Sequence, residues 1–169
     1  MTAATDPGSV GATPFDFESL HAELDAERVR RGLTKQRLAG DIGVSVSTIS
    51  RAAVGGIMEA DGVLAMVRWL GVPPERFVRP APVAQPTRLL TSPTATVRAD
   101  TLAMHNALDR RRAERGISWE VVGDELGSSR LATELAGLRR GGRTTIATLV
   151  ASAQWLGLPI AALTREAER

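Results

Sequence analysis

The sequence predicts an all-α protein made of two tandem copies of one small helical unit, joined by a Pro-rich linker. Three observations carry that expectation. Residues recur at a fixed offset over two long stretches of the chain. Apolar positions fall at helical spacing between capping residues and glycines. No stretch alternates with period two for long enough to make a convincing strand.

The repeat is explicit. At an offset of 84, His21/His105, Leu24/Leu108, Asp25/Asp109, Arg28/Arg112, Arg31/Arg115, Gly32/Gly116 and Gly43/Gly127 are identical. At an offset of 86, Gly55/Gly141, Gly56/Gly142, Ala65/Ala151, Trp69/Trp155, Leu70/Leu156, Gly71/Gly157 and Pro73/Pro159 are identical. Leu38/Val122, Ile42/Leu126, Ile49/Leu135 and Val63/Leu149 keep apolar character. The change of offset places two extra residues between Gly127 and Leu135.

Residues 1–16 are small, polar and Gly/Pro-bearing, the composition of a flexible tail. Phe17, Leu20 and Leu24 then share one helical face, and Gly32 closes that first helix. Thr34 is a good N-cap for a second helix through Ile42, with Leu38, Ala39 and Ile42 inward. Gly43 supplies a tight turn, where positive φ costs a glycine little. Ser45 caps a third helix whose apolar side is Val46, Ile49 and Ala52 or Ala53, and Gly55-Gly56 ends it. A fourth helix runs from about Asp61 to Leu70, and a last short turn carries Phe77, closing the unit at 17–78. The Pro-rich linker covers 79–100, the second unit 101–164 with Ser118 as the cap of its second helix, and a short tail 165–169. Trp69 and Trp155 are expected to be core anchors closing each unit.

Composition narrows the function. The chain has 169 residues and no cysteine, which excludes disulfides, thiolate metal sites and a zinc-finger route to DNA. No apolar run approaches a membrane span and no secretory signal opens the chain, so a cytoplasmic, nucleoid-associated location with no membrane partner is expected. Lys35 is the sole lysine among 21 basic residues. Arginine forks onto phosphate and carboxylate, although the same skew fits a GC-rich genome. Segment 17–78 balances 8 basic against 8 acidic residues, whereas 101–164 carries 8 Arg against 6 acids.

The run Gly32-Leu33-Thr34-Lys35-Gln36-Arg37-Leu38-Ala39, followed by Ile42-Gly43-Val44-Ser45-Val46-Ser47-Thr48-Ile49-Ser50-Arg51, joins two short helices through a Gly-bearing turn. It resembles the helix-turn-helix of the phage-repressor (Cro-like, or XRE) family, over nearly the whole five-helix domain in 17–78 and more loosely over 101–164. The resemblance implies a regulator of transcription that binds double-stranded DNA, with the third helix entering the major groove. It points to Ser45, Val46, Ser47, Thr48, Ser50 and Arg51 as DNA-facing positions. Hydroxyls donate to or accept from bases and phosphates, and Arg51 forks onto guanine or binds phosphate. Thr34, Lys35 and Gln36 open the second helix, where free N–H groups and the dipole favour a phosphate. Gly55 lets the backbone approach the sugar-phosphate chain. Ser45 as a cap only, and Ser50 as a solvated side chain, are the plainer alternatives.

The second copy departs further. Trp119 replaces Lys35, Glu134 puts an acid on the corresponding third helix, and the turn is longer. Its candidate DNA contacts are Arg130, Thr133, Arg139, Arg140 and Arg143. Two such units place reading helices on successive grooves, about 34 Å apart. Alternatively one repeat binds DNA and the other serves dimerisation or a protein partner, as in an antitoxin-like or regulatory adaptor role. No enzyme is expected. His21 and His105 occupy equivalent positions, with Asp25 and Asp109 four residues on, which reads as a surface His–Asp contact. No phosphate loop, metal cluster or activated nucleophile is present, and no cofactor or metal is expected.

Overall fold

The computed structural model describes residues 14–80, 96–127 and 131–167, without the side chains of residues 131, 132 and 136. The N-terminal expectations up to residue 13, those on 81–95 of the linker, residues 128–130 of the longer turn including Arg130, and 168–169 of the tail lie outside the described residues.

The described residues are mostly helical, with one small sheet among them. Helices α1 (Phe17–Arg30), α2 (Lys35–Ile42), α3 (Val46–Val54) and α4 (Ala60–Leu70) are followed by a 3-10 turn, Pro74–Phe77. The same order recurs as α5 (Thr101–Arg115), α6 (Trp119–Glu125), α7 (Leu131–Leu138), α8 (Ile146–Leu156) and the 3-10 turn Ile160–Leu163. The caps are the expected ones: Thr34, Ser45 and Ser118 each accept a backbone N–H three residues on. Asp16 and Asp100, at equivalent positions, do the same for α1 and α5. None of the described helices is long and apolar enough to cross a membrane.

Strands were not expected, and two are present. β1 (Thr96–Ala99) pairs antiparallel with β2 (Thr164–Ala167), matching Thr96 to Ala167 and Ala99 to Thr164. Among the described residues, the first copy makes the equivalent closure with the bridge Phe15 to Val78. In both copies the segment before the first helix must pair its peptide groups with the segment after the last turn. Asp16 N–H donates to Phe77 O at 2.6 Å, and Asp100 N–H to Leu163 O at 2.9 Å. Four residues per strand are too few for an alternation to be visible. β1 therefore takes the end of the expected linker, and β2 takes part of the expected C-terminal tail.

The two copies meet along a seam with approximate twofold character. Ala60 N–H donates to Thr144 O at 2.9 Å, and Ile146 N–H donates to Met58 O at 3.0 Å. Met58/Thr144 and Ala60/Ile146 are equivalent pairs at the offset of 86, so each copy supplies the same donor and the same acceptor. α4 packs on α8 behind this bridge. The buried Glu75 carboxylate accepts the Ile160 N–H at 2.6 Å, and Asp61 accepts the Ala99 N–H at 2.9 Å. Apolar burial is continuous across the seam, from Leu20, Leu24, Leu38 and Leu64 to Met104, Leu108, Leu135 and Leu149.

Candidate nucleic-acid interface

α2, the turn at Gly43 and α3 form the surface on which most of the candidate residues lie. Thr34 Oγ1 accepts the Arg37 N–H at 3.1 Å, leaving Lys35 and Gln36 exposed on the first turn of α2. Gly43 ends α2 in the left-handed region, at φ 85°. Ser45 Oγ then accepts the Thr48 N–H at 3.1 Å and lies 2.8 Å from both Ser47 Oγ and Thr48 Oγ1. Three hydroxyls thus cluster at the start of α3. Ser45 is a cap, but an exposed one, and its lone pairs and those of Ser47 remain open to solvent.

Ile49 and Ala52 are buried and hold α3 against α1, while Ser47, Ser50, Arg51 and Ala53 are exposed. Val46 and Thr48 are half-buried, so less of each is available to a groove than a fully outward position offers. Gly55 and Gly56 end the helix at φ 75° and 112°, conformations that a side chain would strain. Val54 and Ile57, 88% and 86% exposed, flank this turn. They were missed in the sequence because neither belongs to a helical stripe, and only their place beside the Gly pair marks them.

The balanced charge of the first copy is mostly consumed in pairs. Arg28 binds Asp25, Arg30 and Arg31 bind Glu27, Arg37 binds Asp41, Arg76 binds Glu23 and Arg79 binds Asp16. The Arg30 and Arg31 guanidiniums pull the Glu27 carboxyl down to about 2, and Arg28 holds Asp25 below its ordinary value. Lys35 and Arg51 make no salt bridge among the described residues, although the Lys35 charge adds a smaller pull on Asp25. Both cations lie on the α2–α3 surface.

The second copy is arranged differently. Trp119 lies against His105, with ring centroids 5.3 Å apart, and under the Arg112 guanidinium. Thr133 and Glu134 are exposed on α7, and Glu134 accepts the Thr148 hydroxyl at 3.2 Å. Arg139 and Arg140 follow on, exposed and without an ion-pair partner among the described residues. Arg143 is drawn to the seam, where it pairs with Glu59 at 3.0 Å.

Two sequence expectations hold only in part. Asp25 and Asp109 accept hydrogen bonds from Arg28 and Arg112, because an arginine three residues on reaches the carboxylate and a loop carbonyl together, and His21 adds only a smaller charge effect on Asp25. Trp69 and Trp155 are half-buried and pack against the edge of the core rather than inside it. Arg31 lies over Trp69 at 4.2 Å, and Arg115 over Trp155 at 5.4 Å, so the indole faces carry cations at the rim. Compared with family models, with curated proteins and with solved structures, the chain matches none.

Proposed function

We propose that the chain is a sequence-specific, double-stranded DNA-binding regulator of transcription, built as two tandem five-helix units at 17–78 and 101–164. α3 reads the major groove, as the resemblance to the phage-repressor family implies, and α7 is the corresponding element of the second unit. One observation carries the reading. In the first unit, Lys35 and Arg51 make no salt bridge among the described residues and lie exposed on the same surface as the Ser45, Ser47 and Ser50 hydroxyls. Lys35 and the α2 N-terminus meet backbone phosphate, while Arg51 and the hydroxyls reach base edges.

A second reading is favoured by the seam and by Glu134. In it, the second unit fixes the first and makes no base contact of its own. Selection of bound duplexes from a random pool, followed by affinity measurements at several salt concentrations, separates the two. The first reading expects two enriched half-sites one helical turn apart, and the second expects one. Both expect affinity to fall steeply with salt, and Arg51→Ala to cost about 1–3 kcal/mol of binding where it contacts a base. Failure to retard any duplex at low salt rejects both.

A further inference from the structure

Beside the seam, the second copy holds a polar pocket of about 540 Å³ between β1, β2, the start of α5 and the turn after α7. We infer that this pocket binds a small organic phosphate that also carries hydroxyl groups, an effector rather than nucleic acid. The inference stands independently of the DNA-binding reading.

Three guanidiniums line the pocket. Arg98 and Arg165 are direct cross-strand partners in the β1–β2 register, and both are exposed. Neither has an ion-pair partner among the described residues. Like charges directly opposite each other destabilise a two-stranded sheet, so an anion that bridges the pair is favoured there. Arg143 is the third; its salt bridge to Glu59 leaves further N–H donors for a ligand. Thr144, 8% exposed, also lines the pocket, and its buried hydroxyl has no hydrogen-bond partner. A buried hydroxyl left unpaired is costly and calls for a polar partner that the described residues do not supply.

The remaining groups refine the ligand class. Asp61 and Asp100 also line the pocket, each already accepting one backbone N–H, from Ala99 and Ala103. A carboxylate has further acceptor sites, which suit sugar-like hydroxyls and disfavour a bare polyanion. The volume lies in the range of small-ligand sites and exceeds what inorganic phosphate alone fills.

The first copy has no such chemistry at the same place. The counterparts of Arg98, Arg143 and Thr144 are Pro14, Ile57 and Met58, and the counterpart of Arg165, Arg79, is paired with Asp16. Phe15 and Phe17, with ring centroids 5.2 Å apart, occupy the positions of Ala99 and Thr101. The pocket therefore belongs to one side of the pseudo-symmetric pair, and one ligand per chain is expected.

Calorimetric titration of the full chain at constant ionic strength tests this, with glucose 6-phosphate, inorganic phosphate and glucose as probes. The expected result is saturable binding of glucose 6-phosphate at one site, weaker binding of inorganic phosphate, and none of glucose. The double variant R98Q/R165Q should lose roughly tenfold or more in affinity, and Thr144→Val should lose affinity by a smaller factor. Without ligand, R98Q/R165Q should melt no lower than the parent chain, because it relieves a like-charge contact, so lost binding will not reflect lost folding. Absence of saturable glucose 6-phosphate binding, or equal binding by R98Q/R165Q, overturns the proposal. So does a parallel loss of duplex DNA binding by that variant in a chain that ignores both free phosphates, which would assign the arginines to DNA phosphates.

Discussion

Trp119 occupies in the second copy the position that Lys35 holds in the first, and the two residues do opposite things there. The Trp119 ring lies 5.3 Å from the His105 ring, beneath Arg112. Lys35 borders an open pocket of about 150 Å³, lined also by His21, Asp25, Arg28 and Ser50. One copy uses the site for packing, and the other presents an exposed cation there. Lys35→Trp should therefore raise the melting temperature, since filling a cavity commonly stabilises by about 0.5–2 kcal/mol. The same variant should bind duplex DNA more weakly, its salt slope lower by about 1. Unchanged affinity and slope would remove Lys35 from the interface.

Arg28 and Arg112 fasten the end of the first helix in each copy. Arg28 Nε donates to Asp25 at 2.8 Å and its Nη1 to the Leu33 carbonyl at 2.8 Å. Arg112 makes the same pair of contacts, to Asp109 at 2.9 Å and to the Ile117 carbonyl at 3.0 Å. A lysine keeps the charge but lacks the planar fork that reaches both acceptors. Arg28→Lys is expected to cost about 1–2 kcal/mol, read as the shift in urea midpoint at unchanged slope. A neutral result would mean that the carbonyl is satisfied by solvent.

Acid should weaken the fold in a definite window. The Arg30 and Arg31 guanidiniums lower the Glu27 carboxyl to about 2, and Arg115 with the Trp155 indole N–H lowers Glu125 to about 2. Both folded values lie below the ordinary 4.5 of an unfolded glutamate. Their contribution is therefore complete above that value and is lost as pH falls from about 4.5 towards 2. Melting temperature should drop across this window, and the double variant E27Q/E125Q should flatten the drop. Both pairs are solvent-exposed, so added salt should shrink the effect. An identical pH profile for E27Q/E125Q would place the acid sensitivity elsewhere.

The helices and their ends were legible in the sequence because caps and glycines act locally. Thr34, Ser45, Ser118 and Gly43 each do in the structure what their type and position imply. The candidate surface of α2 and α3 was legible for the same reason, since Ile49 and Ala52 mark the buried side. The strands were not, because their pairing joins residues far apart along the chain and each has only four residues. Nor was the pairing of acids with arginines, which leaves Lys35 and Arg51 outside the salt bridges of the described residues and turns Arg143 to Glu59. Counting charges by segment gave a balanced first copy and no hint of which cations remained. The seam was hidden behind linker composition: prolines mark a connection but say nothing of whether the joined units touch.

The seam makes a strong claim about cooperativity. Met58, Ala60, Thr144 and Ile146 exchange backbone hydrogen bonds across it, and α4 buries Ala60, Val63, Leu64, Met66 and Val67 between its own unit and α8. Separate folding of the units would expose part of that face and leave those peptide groups to water. The two halves should therefore unfold together. Trp69 reports on one half and Trp155 on the other, so W119F/W155F and W69F/W119F each leave a single local probe. Their fluorescence midpoints in urea should fall at the same fraction of the stability measured by circular dichroism for each variant. Residues 1–80 alone should melt well below the full chain. Two separated transitions, or an isolated first unit as stable as the whole, would show that the linker joins independent bodies. The spacing of any DNA half-sites would then be set by the linker rather than by the seam.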